Sequence, residues 1–272
     1  MKLEDYSLVI FDLDGTLYED TAHFSLFAEK LKHELPLERQ HAFERDEKCV
    51  QKGEHPLAIG KVYDTLEDII WTWDPFTDML IEPLTWDGKE APIEQKSISF
   101  RASDVDFDRW LSIGDGWWPP YVLARHHGVP METCHKVYNE TKVVMSSEGG
   151  WMTRTEGLRN TLLSWKEQKH LVLVTNSDKE DVIRILSKLN LDDVFSHIIP
   201  SAMKPKETEH HFKSLLETYK LEPHDALSIG DNFINEIAPA LKLGMASCWL
   251  TPDEPPITHP NLFAVSSLKQ VF

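Results

Sequence analysis

The sequence is poor in the features that define several large classes of protein. It has three cysteines in 272 residues, scattered and without the spacing of metal ligands, which excludes a cysteine-based metal site. We expect buried, reduced thiols. No apolar run approaches the roughly 20 residues that cross a bilayer, and the first residues, MKLEDYS, lack a signal-peptide pattern. These absences argue against a membrane-spanning protein and favour a cytoplasmic location.

Positive charge is scarce as well. Lys and Arg number 28 against 45 Asp and Glu, so the formal net charge is −17. Such an acidic surface disfavours nucleic acid and anionic membranes, and neither is expected as a partner. A small anionic substrate is compatible with this charge, because a local cationic pocket can oppose the overall field. The sequence leaves the oligomeric state open.

Apolar runs of strand length alternate with helical periodicity in the second half of the chain. Because the runs are apolar throughout, they suit parallel strands that are buried on both faces. The run at residues 7–11 supplies one more strand, predicted to be central. The sequence therefore predicts an α/β fold with a doubly wound, mostly parallel, Rossmann-like sheet. The runs are LVLVT (171–175), VFSHII (194–199), ALSIG (226–230) and MASCWL (245–250), with helices at about 156–169, 178–190, 208–220 and 233–243.

Residues 19–149 separate the first strand from the others and are expected to form an inserted, mainly α-helical domain. The core domain then comprises residues 1–18 and 150–272, and EGGW (148–151) marks the predicted return of the chain to it. The insertion has a helical pattern that stops at Pro36, a charged helix-like segment, further helices at 57–73, 121–127 and 131–145, and a turn or hairpin around Asp87-Gly88.

Several polar residues come directly after the predicted strands or in the segments between them. In an open α/β sheet the carboxyl ends of the strands share one rim, where ligands bind. One hydroxyl, at least one ammonium and up to four carboxylates are therefore predicted to meet there. The residues are Asp12 and Asp14 after the first strand, Thr175, Asn176 and Ser177 after LVLV, Lys204 and Lys206 in MKPKE, and Asp231 and Glu236 after ALSIG.

The carboxylates at this rim predict a divalent cation. Two unit negative charges roughly 5 Å apart repel by about 3 kcal/mol at an effective dielectric near 20, and a cation among them keeps them ionised. Mg²⁺ suits the position because it prefers oxygen ligands and is often held by one or two carboxylates together with a phosphate. The helix after Ser177, which has capping-box spacing with Glu180, would add backbone amides. The pattern predicts a site for Mg²⁺ and a doubly charged anion.

Four motifs occur in order along the chain: DLDGT, VTNS, KP and GDNFINE. This set, with the strand context of each motif, resembles the haloacid dehalogenase-like (HAD) hydrolase superfamily. The resemblance covers residues 1–18 and about 150–272 and implies an HAD-like core. The insertion has the position of a C1-type cap, and there only the location and the helical character are matched.

Carried over residue by residue, the resemblance implies a phosphatase mechanism. Asp12 would be the nucleophile that forms an aspartyl-phosphate. Asp14 would protonate the leaving alcohol and then activate water. Thr175 would bind the phosphoryl oxygens, and Asn176 beside it would also contact the substrate. Lys204 would pair with both the phosphate and the nucleophile.

The same resemblance implies the metal ligands. Asp12 and Asp231 would bind Mg²⁺ through their carboxylates, and Asp14 would bind it through its backbone carbonyl. Glu236 would act through a water molecule.

Two positions depart from the pattern of the family. Glu236 stands where aspartate is normal, and the neighbouring Asn232 and Asn235 could share its role. MKPKE holds two lysines, Lys204 and Lys206, and the Lys-Pro dipeptide favours Lys204.

The residue two positions after the nucleophile separates the reactions of the superfamily. An acid there, Asp14, can protonate a leaving alkoxide, which predicts Mg²⁺-dependent hydrolysis of a small-molecule phosphomonoester. A phosphomutase on the same scaffold, similar to β-phosphoglucomutase, is the nearest alternative. A phosphonate-cleaving enzyme would need a Schiff-base lysine in the cap, where Lys30 and Lys32 are candidates. A non-catalytic binding protein would usually have lost one of the aspartates. The sequence does not select the substrate.

Overall fold

The computed structural model describes residues 5–146, 152–251 and 257–271. The chain divides into two compact units, one of Met1–Asp20 with Met152–Phe272 and the other of Thr21–Trp151. The domain boundaries expected from the sequence stay predictions, and the return point EGGW (148–151) lies outside the described residues. No helix of the described ranges is both long enough and apolar enough to span a bilayer.

The strands in chain order are β1 (Leu8–Phe11), β2 (Lys61–Asp64), β3 (Ile69–Asp74), β4 (Met79–Thr85), β5 (Ser97–Ser99), β6 (Trp110–Ser112), β7 (His170–Val174), β8 (His197–Ile199), β9 (Ala226–Gly230), β10 (Ala246–Leu250) and β11 (Leu262–Val265). The α-helices are α1 (Ala22–His33), α2 (Leu37–Gln51), α3 (Trp118–His126), α4 (Met131–Ser146), α5 (Leu158–Lys166), α6 (Lys179–Lys188), α7 (Thr208–Tyr219) and α8 (Ala238–Lys242).

The first unit contains a six-stranded parallel sheet in the order β11-β10-β9-β1-β7-β8. Leu8 and Ile10 of β1 share one buried cluster with Phe212 of α7. Val9 and Phe11 point to the opposite face by the alternation of a strand, and both are also fully buried. Burial on both faces explains why β1 is apolar throughout. The α/β fold with a parallel Rossmann-like sheet and a central first strand is confirmed; β11, a half-buried strand at one edge, was not predicted.

The helices of this unit lie close to their predicted positions, with two differences. The last predicted helix is divided into a π-helical turn (Phe233–Ile237) and α8. The capping box predicted for Ser177 and Glu180 is wrong. Asp178 caps α6 instead, because its side chain accepts the backbone N–H of Asp181 at 2.8 Å.

The second unit contains the four helices α1 to α4 and a five-stranded antiparallel sheet in the order β5-β4-β3-β2-β6. The helices agree with the expected helical character, whereas the sheet was not expected. A turn is present at Asp87-Gly88, closed by the Thr85 N–H donating to the Lys89 carbonyl at 2.8 Å. The unit has its own core, to which Phe27, Phe43 and Tyr63 belong.

The helix predicted over residues 57–73 is wrong, because this segment forms β2 and β3. The Asp64 side chain accepts the backbone N–H groups of Leu66 and Glu67, and Asp68 has a positive φ of 54°, so the chain reverses between the strands. The apolar spacing fits a helix, but the β-branched and aromatic residues pack on the two faces of a sheet instead.

Candidate active site

The loop after β1 places Asp12 at the carboxyl end of the central strand. The Asp12 N–H donates to the Ile229 carbonyl of β9 at 3.0 Å, and the Leu17 N–H donates to the Leu13 carbonyl at 3.0 Å, which folds the next residues into one helical turn. Gly15 in this turn has a φ of +74°, and a Cβ atom there would lie 2.1 Å from Asp231 Oδ2. Glycine therefore lets the Asp231 carboxylate approach the loop closely.

Lys204 is the lysine that contacts Asp12. Its Nζ donates to Asp12 Oδ1 at 2.7 Å and to Glu236 Oε2 at 2.9 Å, and its side chain is 2% exposed. Lys206, by contrast, is exposed. The geometry thus selects Lys204 of the two lysines that the sequence offered.

The Asn176 side chain is bonded to the backbone of Lys204. Its Oδ1 accepts the Lys204 N–H at 2.7 Å, and its Nδ2 donates to the Lys204 carbonyl at 3.0 Å. This reciprocal pair fixes the loop that carries the lysine, next to Met203, which has a positive φ of 53°. The substrate contact predicted for Asn176 stays a prediction, and the side-chain amide already has a use in holding this loop.

Thr175 and Ser177 form a tight turn at the end of β7. The Thr175 hydroxyl oxygen accepts the Ser177 N–H at 3.1 Å, and both residues are buried. The Ser177 hydroxyl donates to Asp14 Oδ2 at 2.7 Å, and the Tyr18 hydroxyl donates to Asp14 Oδ1 at 2.6 Å. Sequence reasoning missed both contacts of Asp14. The four-residue spacing of Tyr18, which puts it on the same side of a helical turn, was the available signal.

Glu236 lies in the π-helical turn and is 2% exposed. Its Oε1 accepts the Asn232 N–H at 2.8 Å, so each of its carboxylate oxygens has a partner in the described part of the chain. A Cβ atom at Gly230 would lie 2.4 Å from Glu236 Cγ, so the glycine makes room for the longer side chain. The Asn232 side chain accepts the N–H groups of Ile234 and Asn235 and shapes the turn.

Three carboxylates meet at this rim in a geometry that suits a metal ion. Asp12, Asp231 and Glu236 each offer one oxygen, and these oxygens all lie within 4.8 Å of one another. Hard oxygen donors at such distances are the ligands that Mg²⁺ prefers. The Lys204 ammonium neutralises one negative charge of a group of three carboxylates. The remaining negative charge could be neutralised by a divalent cation. The predicted carboxylate ligands are therefore brought together.

The electrostatics of the cluster also fit a cation. Burial raises the pKa of Glu236 to about 8, with the Lys204 ammonium opposing the effect and the charge of Asp12 adding to it. Burial likewise raises the pKa of Asp12, again against Lys204. Burial acts to lower the pKa of Lys204, but the two carboxylates outweigh it and the pKa is raised. A cation would stabilise the ionised carboxylates that burial disfavours.

The fold and the site together define a Rossmann-like α/β protein whose acids and lysine gather at the carboxyl ends of the strands. A family model described as haloacid dehalogenase-like hydrolase matches residues 6–244. The chain belongs to this family of hydrolases, and the resemblance inferred from the four motifs is confirmed.

Individual relatives share part of the sequence or the fold. The chain is 26% identical over 102 residues to glyceraldehyde 3-phosphate phosphatase of Pyrococcus furiosus, and the match covers 36% of this chain and 42% of the relative. The same enzyme of Pyrococcus abyssi is also 26% identical, with 43% of its length covered. The chain thus spans less than half the length of these curated relatives.

Two solved structures are similar over nearly the whole chain. YfnB from Bacillus subtilis, solved with bound magnesium, has a TM-score of 0.53 at 14% identity, covering 98% of this chain and 96% of that one. A haloacid dehalogenase-like family hydrolase from Streptococcus pneumoniae has a TM-score of 0.52 at 13% identity, covering 99% and 98%. At these identities the likeness shows the fold.

Proposed function

We propose that this protein is a Mg²⁺-dependent phosphatase that hydrolyses a small-molecule phosphomonoester through an aspartyl-phosphate on Asp12. The observation that carries the proposal is the contact of Asp12 with Lys204 at the end of the central strand, with Asp14 beside it as an acid. The similarity to glyceraldehyde 3-phosphate phosphatases supports a phosphorylated metabolite as the substrate. The cytoplasmic location stays a prediction.

In the first step the Asp12 carboxylate attacks phosphorus, and the bond from phosphorus to the leaving alcohol breaks. Asp14 donates a proton to the alcohol oxygen, because an alkoxide is a poor leaving group. The Lys204 ammonium and the Thr175 hydroxyl bind the phosphoryl oxygens. The transferred group carries charge on its oxygens, so placement of these groups provides most of the catalysis.

In the second step water attacks the phosphorus of the aspartyl-phosphate and gives a proton to Asp14. The acyl phosphate bond breaks, which restores the Asp12 carboxylate and releases inorganic phosphate. When bound, Mg²⁺ would be held by the carboxylates of Asp12 and Asp231, the Asp14 backbone carbonyl and, through water, Glu236, and would neutralise charge on the phosphoryl group.

A phosphate-release assay tests this proposal. Small phosphomonoesters, including glyceraldehyde 3-phosphate and hexose phosphates, are incubated with Mg²⁺ or with EDTA. We expect release by the wild type and by the exposed control Asp192→Asn, and none by Asp12→Asn or with EDTA. An acid-quenched wild-type sample should contain a hydroxylamine-labile phosphopeptide that includes Asp12. Full activity of Asp12→Asn would contradict the proposal, and an isomerised hexose phosphate without release would indicate a phosphomutase.

A further inference from the structure

Both carboxylate oxygens of Asp14 accept a hydrogen bond from a hydroxyl group. The Tyr18 hydroxyl donates to Oδ1 at 2.6 Å and the Ser177 hydroxyl to Oδ2 at 2.7 Å. Both distances lie in the normal range of O–H···O hydrogen bonds. Since the two donors bind different oxygens, they fix the rotation of the carboxylate as well as its position.

The phenol of Tyr18 is itself held in place. Tyr18 is fully buried, and its backbone forms an antiparallel bridge with Arg154. The next residue, Glu19, accepts the Thr155 hydroxyl at 2.8 Å and the Leu268 N–H at 3.0 Å. The segment that carries the phenol is therefore anchored to two other parts of the same unit.

Ser177 is anchored independently of Tyr18. Its N–H donates to the Thr175 hydroxyl oxygen at 3.1 Å, and its carbonyl accepts the Ser201 N–H at 2.9 Å. Ser177 is buried, with 5% of its surface exposed. Asp14 is thus held by two donors that come from separate segments, one after β1 and one after β7.

We infer that Tyr18 and Ser177 are positioning residues that orient Asp14 for proton delivery to the leaving alcohol. This inference rests on the proposed phosphatase function. Asp14 gives its proton to the leaving oxygen as the bond from phosphorus breaks, and that transfer needs the carboxyl group within hydrogen-bond reach of the oxygen. Small displacements of a catalytic group cost large factors in rate.

The identity of the leaving group separates this role from a merely structural one. An alkoxide needs a proton as it leaves, whereas p-nitrophenolate leaves without one. The parameter kcat/KM covers the steps up to transfer of the phosphoryl group to Asp12. A loss of Asp14 orientation should therefore lower kcat/KM for an alkyl phosphate and spare p-nitrophenyl phosphate, whereas general damage to the site lowers both.

The experiment compares Tyr18→Phe, Ser177→Ala and the double variant with the matched controls Tyr219→Phe and Ser187→Ala. The alkyl phosphate is glyceraldehyde 3-phosphate. We expect each single variant to lose about tenfold in kcat/KM for this ester, mainly in kcat, and less than about twofold in kcat/KM for p-nitrophenyl phosphate. Ser177→Thr, which keeps the hydroxyl, should retain the alkyl activity. Mg²⁺ binding by calorimetry should match the wild type, and thermal unfolding should show that each variant is fully folded at the assay temperature.

Each result decides the matter. Equal losses on both substrates, or no loss on either, would overturn the positioning role. If Tyr18→Phe fails to fold, the comparison of Ser177→Ala with Ser177→Thr gives the same decision. A wild-type protein that releases phosphate from neither ester refutes the phosphatase proposal itself, and that outcome is distinct from an active wild type with unaffected variants.

Discussion

Lys204 and Asp12 are 192 residues apart in the chain, yet the Lys204 Nζ lies 2.7 Å from Asp12 Oδ1. The lysine also bonds Glu236, so one buried ammonium joins the loop after β1 to the π-helical turn after β9. If one member of such a buried group is removed, the others keep a buried charge without a partner. The stability lost in this way exceeds the stability that the intact group contributes.

Lys204→Met should therefore reduce both stability and turnover. We expect the free energy of unfolding to fall by about 3–5 kcal/mol, because two buried carboxylates lose their cation, and phosphate release to fall at least about 100-fold. Urea denaturation and a phosphate assay measure the two effects. Lys206→Met, at an exposed position, should leave both unchanged. The assignment of Lys204 is wrong if the two variants behave in the reverse way.

Gly15→Ala should weaken metal binding. The added Cβ would lie 2.1 Å from Asp231 Oδ2, so either the loop or the Asp231 carboxylate must move. We expect a loss of about tenfold or more in Mg²⁺ affinity by titration calorimetry, in line with the effect of disturbing a ligand.

Gly53→Ala is a matched control for this change. Gly53 has a similar φ of +70°, but a Cβ there meets nothing within 4 Å. The Gly53→Ala variant therefore has the backbone strain of an alanine at positive φ, but its Cβ does not contact a carboxylate. Equal Mg²⁺ affinities of the two variants would show that Gly15 does not control the position of Asp231.

Asn176→Ala should lower turnover because the loop that carries Lys204 loses two hydrogen bonds. Each such bond contributes about 1 kcal/mol, so we expect a loss of roughly 10-fold to 30-fold in kcat. Asn176→Asp keeps the acceptor for the Lys204 N–H and should lose less. If Asn176→Ala changes KM alone, the side chain contacts substrate rather than the loop.

Asp46 in the second unit should make stability depend on acid. It is buried, and the hydrogen bonds from Trp86, Arg45 and His127 outweigh the burial that acts to raise its pKa, so the pKa is lowered. A carboxyl whose pKa is lower in the folded state stabilises the fold above its unfolded pKa of about 3.9 and loses this contribution as the pH falls below it. The wild type should therefore begin to lose this contribution near about pH 5 and lose the rest as the pH falls through the folded pKa of Asp46, which lies below the unfolded value.

Asp46→Asn tests this contribution. The variant should be less stable at pH 7 and should lose less stability on acidification, both measured by urea denaturation. The exposed control Asp192→Asn should follow the wild type. If acidification lowers the free energy of unfolding of Asp46→Asn as much as that of the wild type, the prediction is wrong.

The primary structure determined the α/β core and the identity of most candidate site residues. Parallel strands buried on both faces are continuously apolar, so β1, β7 and β9 were recognisable. The carboxyl ends of parallel strands share one rim, which predicts that Asp12, Asp231 and Lys204 lie near one another.

The tertiary structure decided what local patterns do not encode. Lys204 rather than Lys206 meets Asp12 because the loop around Met203 and the Asn176 amide turn it inward. Ser177 and Asp14 are 163 residues apart in the chain, and the hydrophobic periodicity of the sequence cannot predict a contact between residues so far apart. In the insertion, the apolar spacing of residues 57–73 fitted a helix equally well. Packing of β2 and β3 into an antiparallel sheet selected the strands, since burial against neighbouring strands outweighs local propensity.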